Sequence, residues 1–141
     1  MAANLKIIEV SAGIICRNGE ILLARRPAGS HHAGCWEFPG GKLEDGETPE
    51  SCLRRESLEE LDLEIQMPRI VFEYEQYKDD DTLLRLYFIE CCQVDGSFPK
   101  PVYGQKIVWS KPGGIPAYEL LEPDRAAAEF LLKNFDNQGK V

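Results

Sequence analysis

The sequence predicts one mixed α/β or α+β domain, and three observations carry that expectation. Strand-like apolar segments and helical apolar spacing are interleaved along the chain, with no repeat and no linker between them. At 141 residues, 43% of them hydrophobic, the chain can bury one proper core. No apolar run approaches the roughly 18 residues that a membrane span needs. A single domain over residues 1–141 is therefore expected.

Each element has its own signal. Residues 7–16 (IIEVSAGIIC) and 20–26 (EILLARR) read as strands joined at Asn18-Gly19, a pair suited to a tight hairpin turn. Pro39-Gly40-Gly41 follows, and two adjacent glycines permit backbone approach that other residues resist. Thr48-Pro49 reads as N-cap and first residue of a helix over 48–61. IVFEYEQY (70–77) and TLLRLYFIECCQV (82–94) read as a second hairpin around an acidic turn at 78–81. KIVW (106–109) is a short later strand. Residues 122–135 show helical spacing, with Ala127, Phe130, Leu131 and Phe135 available to pack.

Charge and cysteine usage narrow the partners. A net charge of −8 without a dense Lys/Arg run argues against gripping a nucleic-acid polymer, because phosphate neutralisation drives that binding. Arg25-Arg26 and Arg54-Arg55 are the adjacent basic pairs. Five cysteines show no CxxC pattern, and Cys91 and Cys92 point to opposite faces of a strand. Reduced thiols in a cytoplasmic protein fit this count, and no signal peptide or membrane segment is expected.

The chemistry concentrates in residues 41–63, GKLEDGETPESCLRRESLEELDL. On a helix of 100° per residue, Glu59 and Glu60 lie within about 60° of Glu56. Three carboxylates on one stripe repel, and a hard divalent cation would reverse that cost. A solvated acidic face is the alternative for such a stripe taken by itself.

This segment resembles the Nudix box, G-x5-E-x7-R-E-U-x-E-E-x-G-U with U a bulky aliphatic residue. Gly41, Glu47, Arg55, Glu56, Glu59, Glu60 and Leu63 match it in register. Ser57 stands where the first aliphatic is expected and Asp62 where the last glycine is. Helical geometry places Ser57 half-buried with Leu53 and Leu61, its hydroxyl able to bond the Leu53 carbonyl, and Asp tolerates a left-handed helix end. The flanking LLARRPAGSHHAGCWEFPGG is similar to the MutT-like branch that acts on free nucleotides.

The resemblance implies an α/β/α sandwich around a mixed β-sheet and hydrolysis of a nucleoside diphosphate linked to a further group. It implies Mg²⁺, with Mn²⁺ as an alternative, held by Glu56, Glu59, Glu60 and the backbone carbonyl of Gly40. Glu56 would assist proton removal in a catalytic set with Glu59 and Arg55, and Arg55 would orient Glu47 through a bidentate ion pair. Arg26, Phe38, Lys42 and Asp124 are the implied substrate contacts. Arg26, Phe38 and Asp124 each have a plainer reading: a surface arginine, a core aromatic and the N-cap of the last helix. His31 and His32 read as surface residues of a polar loop. Tyr103 stands where the branch commonly has an acid, and no acid lies between Pro101 and Trp109.

The expected activity is release of nucleoside monophosphate and pyrophosphate from a nucleoside triphosphate, 8-oxo-dGTP being the preferred substrate and CTP or modified dCTP the rival. A monomer or homodimer is expected. A nucleotide-sensing module without turnover is the reading from another class, and it would have lost box glutamates that this chain retains.

Overall fold

In a computed structural model of the chain, residues 4–134 are described. The strands are β1 (Lys6–Arg17), β2 (Glu20–Arg25), β3 (Trp36–Glu37), β4 (Gly40–Lys42), β5 (Ile65–Asp79), β6 (Thr82–Gln93) and β7 (Ile107–Ser110). The helices are α1 (Pro49–Leu61) and α2 (Glu122–Asn134), with a 3-10 helix at Pro112–Ala117. The strands form one sheet in the order β3-β2-β1-β6-β5, with β4 paired to β1 and β7 to β2. β1 and β6 run parallel from Lys6↔Thr82 to Cys16↔Cys92, and the other ladders are antiparallel, so the sheet is mixed.

Alternation along the strands divides the core into two layers. Ala12, Ile14 and Cys16 of β1 join Ile21, Leu23, Phe38, Leu86 and Phe88 beneath Ala127, Ala128 and Leu131 of α2. Ile15 joins Leu22, Ile89 and Cys91 on the opposite face, beneath Leu53 and Leu61 of α1. The result is the expected α/β/α sandwich. A Cβ at Gly13 would lie 2.9 Å from the Leu53 Cδ1, so this glycine lets α1 settle onto β1. Truncating fully buried Leu53 or Leu131 to Ala would cost about 2–5 kcal/mol.

Local chemistry sets the limits of α1. The Thr48 hydroxyl accepts from Ser51 N–H, and the Ser51 hydroxyl accepts from Thr48 N–H, satisfying two amides at the helix start. Asp62 ends the helix in the left-handed conformation (φ 50°, ψ 36°), donating its N–H to Leu58 O while Leu63 N–H reaches Ser57 O. The β1–β2 hairpin turns through Asn18 and Gly19, both at positive φ.

Several features depart from the sequence reading. β5 starts at Ile65 and not near residue 70, because irregular pairing between Gln66 and Arg69, with Met67 at φ 56°, admits Pro68 to an edge strand. β3 and β4 span two and three residues, too few to show a period. The Ser57 hydroxyl is buried without a hydrogen-bond partner, so the expected bond to the Leu53 carbonyl is not made. Phe135 lies outside the described residues.

Candidate active site

Two glycines seat the acidic helix against the sheet. β4 pairs antiparallel with β1, Gly41 opposite Ser11 and Gly40 opposite Ala12. A Cβ on Gly40 would stand 1.8 Å from Ser11 O, so only glycine lets β4 approach there. A Cβ on Gly41 would meet the Glu56 carboxylate at 2.4–2.6 Å. Glu56 therefore rests in the space that a side chain at Gly41 would fill. Below the same helix, the Ser11 hydroxyl donates to Pro49 O at 2.7 Å and ties the start of α1 to β1.

Arg55 organises the carboxylates. Its Nε and Nη2 donate to the two oxygens of Glu47 at 2.8 and 2.9 Å, the bidentate pair expected from the motif. Its Nη1 reaches Glu56 at 2.9 Å and Glu59 at 3.1 Å, and Nη2 also donates to Lys42 O. These bonds, then one from the Glu44 N–H, hold the Glu47 carboxyl at about 2. Glu60 behaves oppositely: burial first, then a hydrogen bond shared with Glu56 and the charges of Glu56, Glu37 and Glu59, push it up to about 8.

Among the described residues no three acidic, His or Cys side chains are gathered into a ready cation cage. Arg55 Nη1 instead pairs with both Glu56 and Glu59. The donor set nonetheless offers oxygen ligands only, which suits a hard divalent ion.

Asp124, Phe38 and Lys42 lie on the opposite face. The Asp124 carboxylate, buried on the first turn of α2, accepts from Phe38 N–H at 2.9 Å. Burial raises its pKa to about 7 against the lowering effect of that bond. Phe38 is a correction: its ring is 2% exposed and packs edge-on to Phe88, so it belongs to the core and is not offered for stacking. Arg26 is not a loose surface arginine. It donates to His31 O and to both Glu37 oxygens, closing the loop between β2 and β3. Lys42 is exposed on β4 as the partner of Val10, on the α2 face of the sheet.

Glu37 and Gln105 were missed by the sequence reading. Glu37 carries the Arg26 pair, and burial raises its pKa more than Arg26 lowers it. Its one signal was its place in the WEFPGG string. Gln105 donates to Glu60 O while Val102 N–H reaches the same carbonyl, so the loop bearing exposed Tyr103 docks on the C-terminal end of α1. Nothing in the local pattern around Gln105 marks that contact.

This mixed-sheet sandwich, with its glutamate-bearing helix seated on a double-glycine strand, is shared with known proteins. The NUDIX domain family matches residues 8–139. Over 128 residues the chain is 37% identical to the CTP pyrophosphohydrolase of Escherichia coli, covering 91% of this chain and 93% of that protein. Over 61 residues it is 49% identical to the 8-oxo-dGTP diphosphatase of Proteus vulgaris, spanning 43% of this chain and 54% of the relative. A solved MutT structure, from work on the Aliivibrio salmonicida and Vibrio cholerae proteins, superposes with a TM-score of 0.78 at 30% identity, covering 92% of this chain and all of that one. The chain belongs to the NUDIX domain family, whose members generally use divalent cations.

Proposed function

We propose that this protein is a Mg²⁺-dependent nucleoside triphosphate pyrophosphohydrolase that releases nucleoside monophosphate and pyrophosphate, with 8-oxo-dGTP or a related oxidised purine nucleotide as preferred substrate. The observation that carries the reading is the seating of Glu56 on Gly41, with Glu59 and Glu60 beside it and Arg55 bracing them. Glu56, Glu59, Glu60 and the Gly40 carbonyl would hold Mg²⁺, or Mn²⁺ in its place. Such an ion supplies charge compensation at phosphate oxygens and acidifies water.

The chain's own residues do the rest. Glu56 takes a proton from the attacking water at a carboxylate oxygen, and Glu59 flanks it on the next turn. Arg55 braces both, with Glu47 as its anchor. Lys42 and Arg26, the latter held by Glu37, would contact the substrate. Asp124 keeps one oxygen on Phe38 N–H and offers the other to donors on the base. The net charge of −8 favours a free metal-complexed nucleotide over a polymer. Among the described residues no helix is long and apolar enough to cross a membrane, and a cytoplasmic monomer or homodimer built as one domain accords with the composition.

A second reading, hydrolysis of CTP or modified dCTP, is favoured by the near full-length similarity to the E. coli CTP pyrophosphohydrolase. The test is pyrophosphate release with Mg²⁺ across 8-oxo-dGTP, dGTP, CTP and 5-methyl-dCTP. Preference for 8-oxo-dGTP is expected. Preference for cytidine nucleotides keeps the mechanism and replaces the substrate, and tight binding without turnover replaces both with a sensor.

A further inference from the structure

The sheet carries a polar clamp beside the base-facing surface. Tyr74 of β5 pairs with Leu86, Leu86 with Val10, and Val10 with Lys42, forming one row across four strands. Gln76, Leu84 and Ile8 form the next row. Register partners share a face, and Val10, Leu84, Leu86 and Tyr74 pack with Phe38 on the α2 side. One row the other way, Phe72 lies stacked under Phe130 of α2. The Tyr74 and Gln76 rows lie beyond the start of that helix, and there Ile8, Val10 and Leu84 are only half-buried. They make an apolar floor with Lys42 on one side.

Glu122, the first residue of α2, bridges the other side. Its carboxylate accepts from the Tyr74 hydroxyl at 3.2 Å and from Gln76 Nε2 at 3.0 Å. A phenol has one proton, so Tyr74 oxygen has only lone pairs left to offer. The Gln76 amide is fixed with its nitrogen toward Glu122 and its oxygen turned away. Asp124, two residues further along α2, is another acceptor.

We propose that Glu122 sets base selectivity by committing Tyr74 and Gln76 as hydrogen-bond acceptors along the β5 side of the floor. That surface then takes a base whose facing edge carries N–H or amino donors. This rests on the nucleotide reading above and deepens it: 8-oxoguanine presents N7–H where guanine presents a lone pair, and an acceptor wall separates the two.

The test compares full-length wild type, Glu122→Ala, Glu122→Gln and Tyr74→Phe. The dissociation constants of 8-oxo-dGMP and dGMP are measured by calorimetry, and kcat and KM for the triphosphates in parallel. The wild-type preference for the oxidised base should fall about tenfold in Glu122→Ala, chiefly through KM, because the freed Tyr74 hydroxyl can donate to guanine N7. Tyr74→Phe should lower the ratio too, and Glu122→Gln should restore it in part. Equal weakening of both nucleotides in Glu122→Ala, or a fall in Tm with the ratio intact, would overturn the clamp. Pyrophosphate release bears on the reaction separately. A wild type that turns over no triphosphate yet binds the monophosphates with the expected ratios refutes the hydrolase and supports the clamp, and one that binds neither monophosphate refutes the clamp whatever its turnover.

Discussion

The two faces of the sheet hold their acids by opposite means. On the α1 face, Glu47, Glu56 and Glu59 are gathered around one guanidinium in a partly open site, and space comes from the missing side chain of Gly41. On the α2 face, Asp124 sits in an apolar layer with one backbone donor and a pKa raised to about 7. The first arrangement lowers the pKa of Glu47 to about 2, so that carboxyl is charged near neutral pH. The second holds a carboxyl poised between its two states.

Removing the reacting carboxylate breaks the comparison most severely. Glu56→Gln keeps the shape and should lower kcat by on the order of 10³-fold, read as pyrophosphate release at saturating substrate. A loss below tenfold would move the proton-accepting role elsewhere. Gly41→Ala leaves every charge in place but drives a methyl group into the Glu56 carboxylate. A loss of about 10²-fold in kcat, with the chain still folded by circular dichroism, is expected.

Asp124→Asn sharpens the other face. In the wild type this carboxyl is protonated more readily folded than unfolded, where its pKa is near 3.8. The folded state therefore binds more protons between roughly pH 4 and pH 7, and stability from this group falls as pH rises through that window. The substitution keeps an acceptor for Phe38 N–H and removes the titration. Thermal melts should show a flatter profile from pH 4 to pH 7 and a gain of about 2 kcal/mol at pH 8. Equal slopes for the two proteins would show that Asp124 titrates normally. The smallest effect is Ser57→Ala, which removes a buried hydroxyl without a partner and should stabilise by about 1 kcal/mol in urea unfolding.

Much of this was readable before the fold. Strand and helix periods gave β1, β2, β6 and both helices, because each is long enough to show its alternation. Thr48-Pro49 and the left-handed Asp62 followed from cap chemistry, which is local. Spacing alone put Glu56, Glu59 and Glu60 on one stripe, and the box resemblance supplied the Arg55–Glu47 pair.

Other features belong to the tertiary structure, since they join residues far apart in the chain. The parallel pairing of β1 with β6 brings Lys6 beside Thr82, and no short-range pattern encodes that choice. Burial of the Phe38 ring depends on Phe88, the state of Asp124 on the layer around it, and the Glu122 clamp on a strand more than forty residues away. The sequence determined which acids this protein has and how a helix spaces them, because local backbone geometry fixes both. The tertiary structure alone decided which acids are paired and which are buried, because desolvation and partner distance are set by packing.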